Sequence, residues 1–100
     1  MNTKDCINEK VNRITVMETY LNTLLNAVES RPESVFENNE LHEMLIKLTE
    51  YYESPLWMED YESDERGELP KELKRGVLSE DGVYLLIESI TEYIKASGNI

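Results

Sequence analysis

Residues 51–82 read YYESPLWMEDYESDERGELPKELKRGVLSEDG, and this stretch decides how the chain folds. It holds the only Trp, two of the three Pro and three of the four Gly, while the residues on either side carry helical periodicity. Ser54-Pro55 reads as a helix start, with Ser as N-cap and Pro at the first helical position. The short helix it opens runs from about Pro55 to Asp64 and shows Leu56, Trp57 and Tyr61 to the interior. Arg66-Gly67-Glu68-Leu69-Pro70 breaks it, with Gly67 suited to a left-handed C-terminal position. Lys71 to Arg75 is expected to make one more turn before Gly76. Ser79 then caps a last helix, and Glu80 and Asp81 favour the positive end of its dipole.

Working outward, residues 3 to about 29 form a long periodic segment. Ile7, Val11, Ile14, Leu21, Leu25 and Val28 recur in steps of three and four, Met17 and Leu24 widen the stripe, and Glu18 interrupts it. Such a face belongs to a helix packed on others. Thr3 is placed to cap it, and Arg31-Pro32 ends it, because the residue before a proline resists helical geometry. A second helix runs from about Glu33 to Glu53, with Leu41, Met44, Leu45, Leu48, Tyr51 and Tyr52 on its apolar face. Asn38-Asn39 is a weak point, so the helix proper is expected to begin near Asn39. The last helix buries Val83, Leu86, Ile87, Ile90, Tyr93 and Ile94 and stops at Gly98. No alternating strand pattern is present. The expected fold is all-α, a single domain over 1–100. It is an antiparallel three-helix bundle, with a short crossover helix and an ordered loop between the second and third long helices.

One hundred residues, 40% hydrophobic and 31% charged, are ordinary globular material and too apolar for a disordered chain. The net charge of −11 argues against contact with nucleic-acid phosphates or an anionic membrane surface, and fits a basic partner or a purely solubilising surface better. The longest apolar run, Val83 to Ile87, is far too short to span a bilayer. The first ten residues lack an apolar signal core, and the single Cys6 has no partner for an internal disulfide, so a cytoplasmic protein is expected.

Between Glu50 and Glu72 nine acids stand against Arg66 and Lys71. Asp60-x-Glu62-x-Asp64 has the opening spacing of a calcium loop, but Glu65 stands where the loop needs Gly and Lys71 where it needs a bidentate Glu. The better reading is a solvated acidic helix face, and no metal or cofactor is expected. His42 has no second His one helical turn on, where Ile46 stands. Cys6 has no CxxC partner and reads as a small, partly buried residue, and the glycines are too scattered for a phosphate loop. Lys71, Lys74 and Arg75 form the only positive knot in the second half. Its simplest role is to pair with Asp60, Asp64 and Glu65 and hold the loop closed. Trp57 on a crossover helix most often plugs the end of a core, the alternative being exposure for a partner.

Tyr51-Tyr52, Trp57, Asp60-Tyr61-Glu62, Asp64-Glu65, Gly67, Leu69-Pro70 and Leu73-Lys74-Arg75-Gly76-Val77-Leu78-Ser79-Glu80-Asp81 together resemble a small bacterial family, the domain of unknown function 4298. The specific signature lies between Tyr51 and Leu86. The resemblance implies a short helical bacterial protein with no assigned activity and no catalytic residues to carry over.

Two classes of function follow from the residues. The leading one is a non-enzymatic protein–protein interaction or regulatory module, acting on a basic partner or through self-association. The alternative is a small enzyme or a metal- or ligand-binding protein with its site in the acidic and basic loop region 57–81, and the candidate residues are Trp57, Asp60, Tyr61, Asp64, Lys74 and Arg75, with Tyr84 in support. A third reading, an acidic decoy that mimics nucleic acid, requires carboxylates spread along one face, whereas here they are clustered.

Overall fold

Pro32 and Pro55 punctuate a chain that is otherwise helical almost throughout. The computed structural model describes residues 3–96, the side chains of residues 3–6 and of Glu80 excepted. Among these residues there are five α-helices, one 3-10 turn and no strand. They are α1 (Thr3–Ser30), α2 (Ser34–Glu37), α3 (Asn39–Glu53), α4 (Pro55–Glu65), the 3-10 turn Gly76–Leu78, and α5 (Glu80–Ala96). The readings of the Thr3 side chain as a cap, of Cys6, of the Glu80 charge and of Gly98 as a stop lie outside the described residues.

At 1.5 Å per residue α1 is about 42 Å long, against a longest molecular dimension of 51 Å. It therefore serves as the spine, touching α2, α3, α5 and the 3-10 turn. Ile14, Leu21 and Leu24 on it are buried, and Val11, Met17, Leu25 and Val28 pack against the same core. These are the positions that the helical period selects.

The second helix is divided. Asn38 is extended (φ −92°, ψ 118°), and its side-chain oxygen accepts a hydrogen bond from the Leu41 N–H at 3.1 Å. This cap starts α3 at Asn39 and leaves Ser34–Glu37 as one separate turn that seats Val35 in the core. Two local expectations need correction in α4. Ser54 is extended, as a cap should be, but its hydroxyl donates to the Tyr51 carbonyl at 2.7 Å instead of capping α4. Leu56 faces solvent, because it lies about 100° around the helix from buried Trp57. Gly67, at φ +71°, ends α4 as expected.

Residues 71–75 do not form a helical turn. The turn comes later, at Gly76–Leu78, where it buries Val77 and Leu78 beneath α1 and α5. The Ser79 hydroxyl then accepts from the Gly82 N–H at 3.0 Å and opens α5, which buries Val83, Leu86 and Ile90.

Gly82 carries a steric constraint that helix propensity alone would miss. A Cβ there would stand 2.5 Å from the Gly76 carbonyl oxygen. Propensity by itself predicts that Gly82→Ala stabilises α5 by up to about 1 kcal/mol. The clash is with backbone, which cannot swing aside, so we expect G82A to destabilise the protein by about 1–3 kcal/mol instead. Urea unfolding of the two proteins measures the sign directly.

Candidate functional site

On α1, Lys10 and Arg13 stand three residues apart and so share a face; on α4, Asp60 and Ser63 do the same. The two faces meet as a pair of polar rungs. Arg13 grips Asp60 with two donors, Nε to Oδ2 at 2.9 Å and Nη2 to Oδ1 at 2.5 Å. Lys10 Nζ donates to Ser63 Oγ at 2.6 Å, and Arg66 Nη2 reaches the same oxygen at 3.4 Å. From α3, the Tyr51 hydroxyl donates to Asp60 Oδ2 at 2.6 Å. Asp60 and Ser63 are both fully buried (0% exposed), and no buried side-chain nitrogen or oxygen among the described residues lacks a partner.

The electrostatics follow from this geometry. Burial pushes the Tyr51 phenol above its ordinary range, and the hydrogen bond to Asp60 pushes it further. The hydrogen bond to Asp60 raises Arg13, against the opposing effect of its own burial. Both donors thus hold more firmly the protons that they offer to Asp60.

A second set of bonds lies on the 3-10 turn. The Val77 N–H donates to Glu18 Oε1 at 2.7 Å, and the Val77 carbonyl accepts from Trp57 Nε1 at 2.9 Å. Both backbone polar groups of one loop residue are thus used by side chains from α1 and α4. The Trp57 ring stacks on Tyr61 (5.2 Å, 20°) and meets Tyr52 edge-on (5.2 Å, 73°). Arg75 closes the loop by donating to the Asp64 carboxylate and to the carbonyls of Pro70 and Leu73.

The sequence-predicted residues therefore separate. Trp57 and Asp60 are buried, Tyr61 is half-buried against Trp57, and Asp64 pairs with Arg75 as expected. Against the expectation of an exposed acid paired with the basic knot, Asp60 is buried and its counter-charge is Arg13 of α1. Lys74 is exposed and lines a groove of about 260 Å³ with Thr15, Glu18, Thr19 and Asn22 of α1. Tyr84 is also exposed, on α5. Both Asp60 oxygens are already held by protein donors, Arg13 and the Tyr51 hydroxyl.

The model of the family described as Domain of unknown function (DUF4298) matches residues 14–97. The chain belongs to this family. No curated protein and no solved structure shows significant similarity. The DUF4298 match takes in Glu18, Tyr51, Trp57, Asp60, Ser63 and Val77, and begins one residue after Arg13. In this DUF4298 member, then, the acceptors of both rungs lie inside the matched span and the α1 donors, Lys10 and Arg13, just before it.

Five residues of this network have no role in the sequence reading: Lys10, Arg13, Glu18, Ser63 and, as a polar group, Tyr51. Glu18 had a visible signal, an acid in the middle of an apolar stripe. Arg13 and Lys10 flank that stripe at helical spacing, which is a weaker one. Among the described residues no three His, Cys, Asp or Glu come together as a metal site would need, and no helix is long and apolar enough to cross a membrane.

Arg13→Ala leaves the buried carboxylate with the Tyr51 hydroxyl alone, and we expect a loss of about 3 kcal/mol. The same substitution made in an Asp60→Asn background should cost markedly less, since a neutral amide needs no counter-charge. Equal costs in the two backgrounds, measured by urea unfolding, would show that the pair is not coupled.

Tyr51 makes a pH prediction. Its folded pKa lies above that of the unfolded chain, so its contribution to stability is complete below about pH 10 and declines as pH rises beyond it. The urea midpoint should fall across this alkaline range more steeply for the parent protein than for Tyr51→Phe, in which the titrating group is gone.

Proposed function

We propose that this chain is a non-enzymatic protein–protein interaction or regulatory module of the bacterial cytoplasm. In this reading α1, α3 and α5 form an antiparallel three-helix bundle, α4 is the crossover that locks it, and the partner presents a basic surface. The observation that carries the reading is how the cationic side chains are used. All four arginines are engaged in ion pairs within the chain: Arg13 with Asp60, Arg31 with Glu33 and Glu37, Arg66 with Glu62 and Glu68, and Arg75 with Asp64. The chain's acids outnumber its bases by 21 to 10, so the surplus acids are left to face outward. A one-sign surface of this kind steers an oppositely charged partner and repels nucleic acid.

The residues best suited to chemistry support the same reading, since Asp60, Asp64, Arg75 and Trp57 are spent on holding helices and loop together. The test is affinity capture from host lysate at low and high salt, with sedimentation of the purified protein alongside. A partner with a basic surface, retained at low salt and released at high salt, is the expected result. A chain that sediments strictly as a monomer and captures nothing at either salt would overturn the proposal.

A further inference from the structure

The stripe of α5 that faces the core is Val83, Leu86 and Ile90, with Ile87 and Ile94 beside it. A second stripe lies next to it. Leu85, Glu88, Ser89, Glu92 and Ala96 also recur in steps of three and four, and so share one face of the helix. This second face borders a groove of about 630 Å³ whose far wall is the end of α1 and the turn after it, Val28 and Pro32, with Tyr93 at its side. Leu85 is 54% exposed there, and neighbouring Tyr84 is 57% exposed.

The groove combines apolar Val28, Pro32, Leu85 and Tyr93 with two acids, Glu88 and Glu92, on its α5 side. Glu88 and Glu92 are one helical turn apart, and neither takes part in an ion pair among the described residues. Like charges at this spacing weaken a helix, so a pair of cations placed against them relieves an existing repulsion as well as forming new contacts. An open, partly apolar groove with two acids one turn apart along one side is complementary to an amphipathic helix that carries a large apolar side chain and, beside it, Lys or Arg.

We infer that the groove between α5 and the end of α1 is the docking surface for a basic amphipathic segment of a partner protein. This rests on the reading of the chain as an interaction module and says where on the molecule the contact lies. A large apolar side chain of the partner seats beside Leu85 in this groove, and its bases pair with Glu88 and Glu92. The contact is selective because it needs both parts. A basic coil without the apolar residue lacks the seat, and an apolar helix without bases leaves the rim unpaired.

The probe is a synthetic 18-residue helical peptide of Leu and Lys with a fluorescent label, titrated with the full chain and read by anisotropy. Glu88→Lys/Glu92→Lys should weaken its binding by about tenfold. Glu40→Lys/Glu43→Lys, which makes the same change in net charge on exposed α3 residues, should weaken it far less. Leu85→Glu gives the decisive sign. If only the overall field attracted the peptide, an added acid would tighten binding; seating on Leu85 predicts that L85E weakens it severalfold. Circular dichroism confirms that each surface variant is folded.

Tighter or unchanged binding by L85E, or equal loss in the two double variants, overturns the proposal. So does a wild-type dimer that L85E abolishes, since the occupant would then be a second copy of the chain. The lysate capture separates this idea from the one beneath it. A partner retained equally by wild type and L85E refutes this surface and leaves the interaction-module reading intact. No captured protein, with the peptide still discriminating among the variants, counts against that reading alone.

Discussion

A carboxylate with no access to water constrains the whole upper part of this molecule. Asp60 sits on α4 at 0% exposure, where an unpaired charge would be too costly to keep. Its neutralisation requires Arg13 from α1 and the Tyr51 hydroxyl from α3, so one residue's solvation fixes three helices in relation to each other. Apolar packing alone would not do this, because it is non-directional and tolerates sliding of one helix along another. The forked guanidinium and the phenol impose direction. A shift of α4 by one residue would carry Asp60 about 100° around its axis, off both donors. The network therefore contributes register, while the apolar core contributes most of the free energy.

The same principle recurs at the 3-10 turn, with backbone in place of side chain. Residues 66–79 contain little regular structure, and a connection of this kind between helices is ordinarily mobile. Here the Val77 peptide groups are both consumed, the N–H by Glu18 and the carbonyl by Trp57. With Val77 and Leu78 buried and Gly82 packed on the Gly76 carbonyl, the loop has become part of the core. α1 thus holds the 51–82 stretch at two levels, by Lys10 and Arg13 on one and by Glu18 on the other. Trp57 belongs to both levels, since it shares α4 with Asp60 and bonds to the turn that Glu18 also holds.

How far the sequence discloses this depends on how local each cause is. Helix positions are legible because apolar spacing and Pro, Gly, Asn and Ser signals act within a few residues. Pro32, Pro55, Gly67 and Ser79 mark real boundaries, and Asn38 divides the second helix through a bond only three residues away. The site was less legible. Asp60 is one of nine acids in its neighbourhood, and nothing nearby distinguishes it, because its counter-ion lies 47 residues back. Val77 and Glu18 are separated by 59 residues. Proximity makes the basic knot at Lys71–Arg75 the natural partner of the acids, which holds for Arg75 with Asp64 and fails for Asp60, whose partner is Arg13. Polar residues within an apolar stripe, such as Glu18, are the one sequence feature that pointed across the fold.

Charge is then distributed by a simple physical preference. Arginine, with its planar fork and weaker hydration, suits partly buried pairs, whereas the ammonium of lysine stays in water. This chain follows that division in part: Arg13 and Arg75 close partly buried ion pairs and Lys47, Lys71, Lys74 and Lys95 are exposed, whereas Arg31 and Arg66 pair at the surface and Lys10 reaches the buried Ser63 hydroxyl. The consequence is an outward surplus of carboxylate that the interior cannot absorb. On α5 that surplus includes Glu88 and Glu92, which stand beside an exposed leucine, and folding alone requires neither feature. A helix that had only to close the core could carry Lys at either acid and a polar residue at 85. That freedom is why we propose this face, where an exposed leucine stands beside two acids without ion pairs among the described residues, as the place where a cationic and partly apolar partner docks.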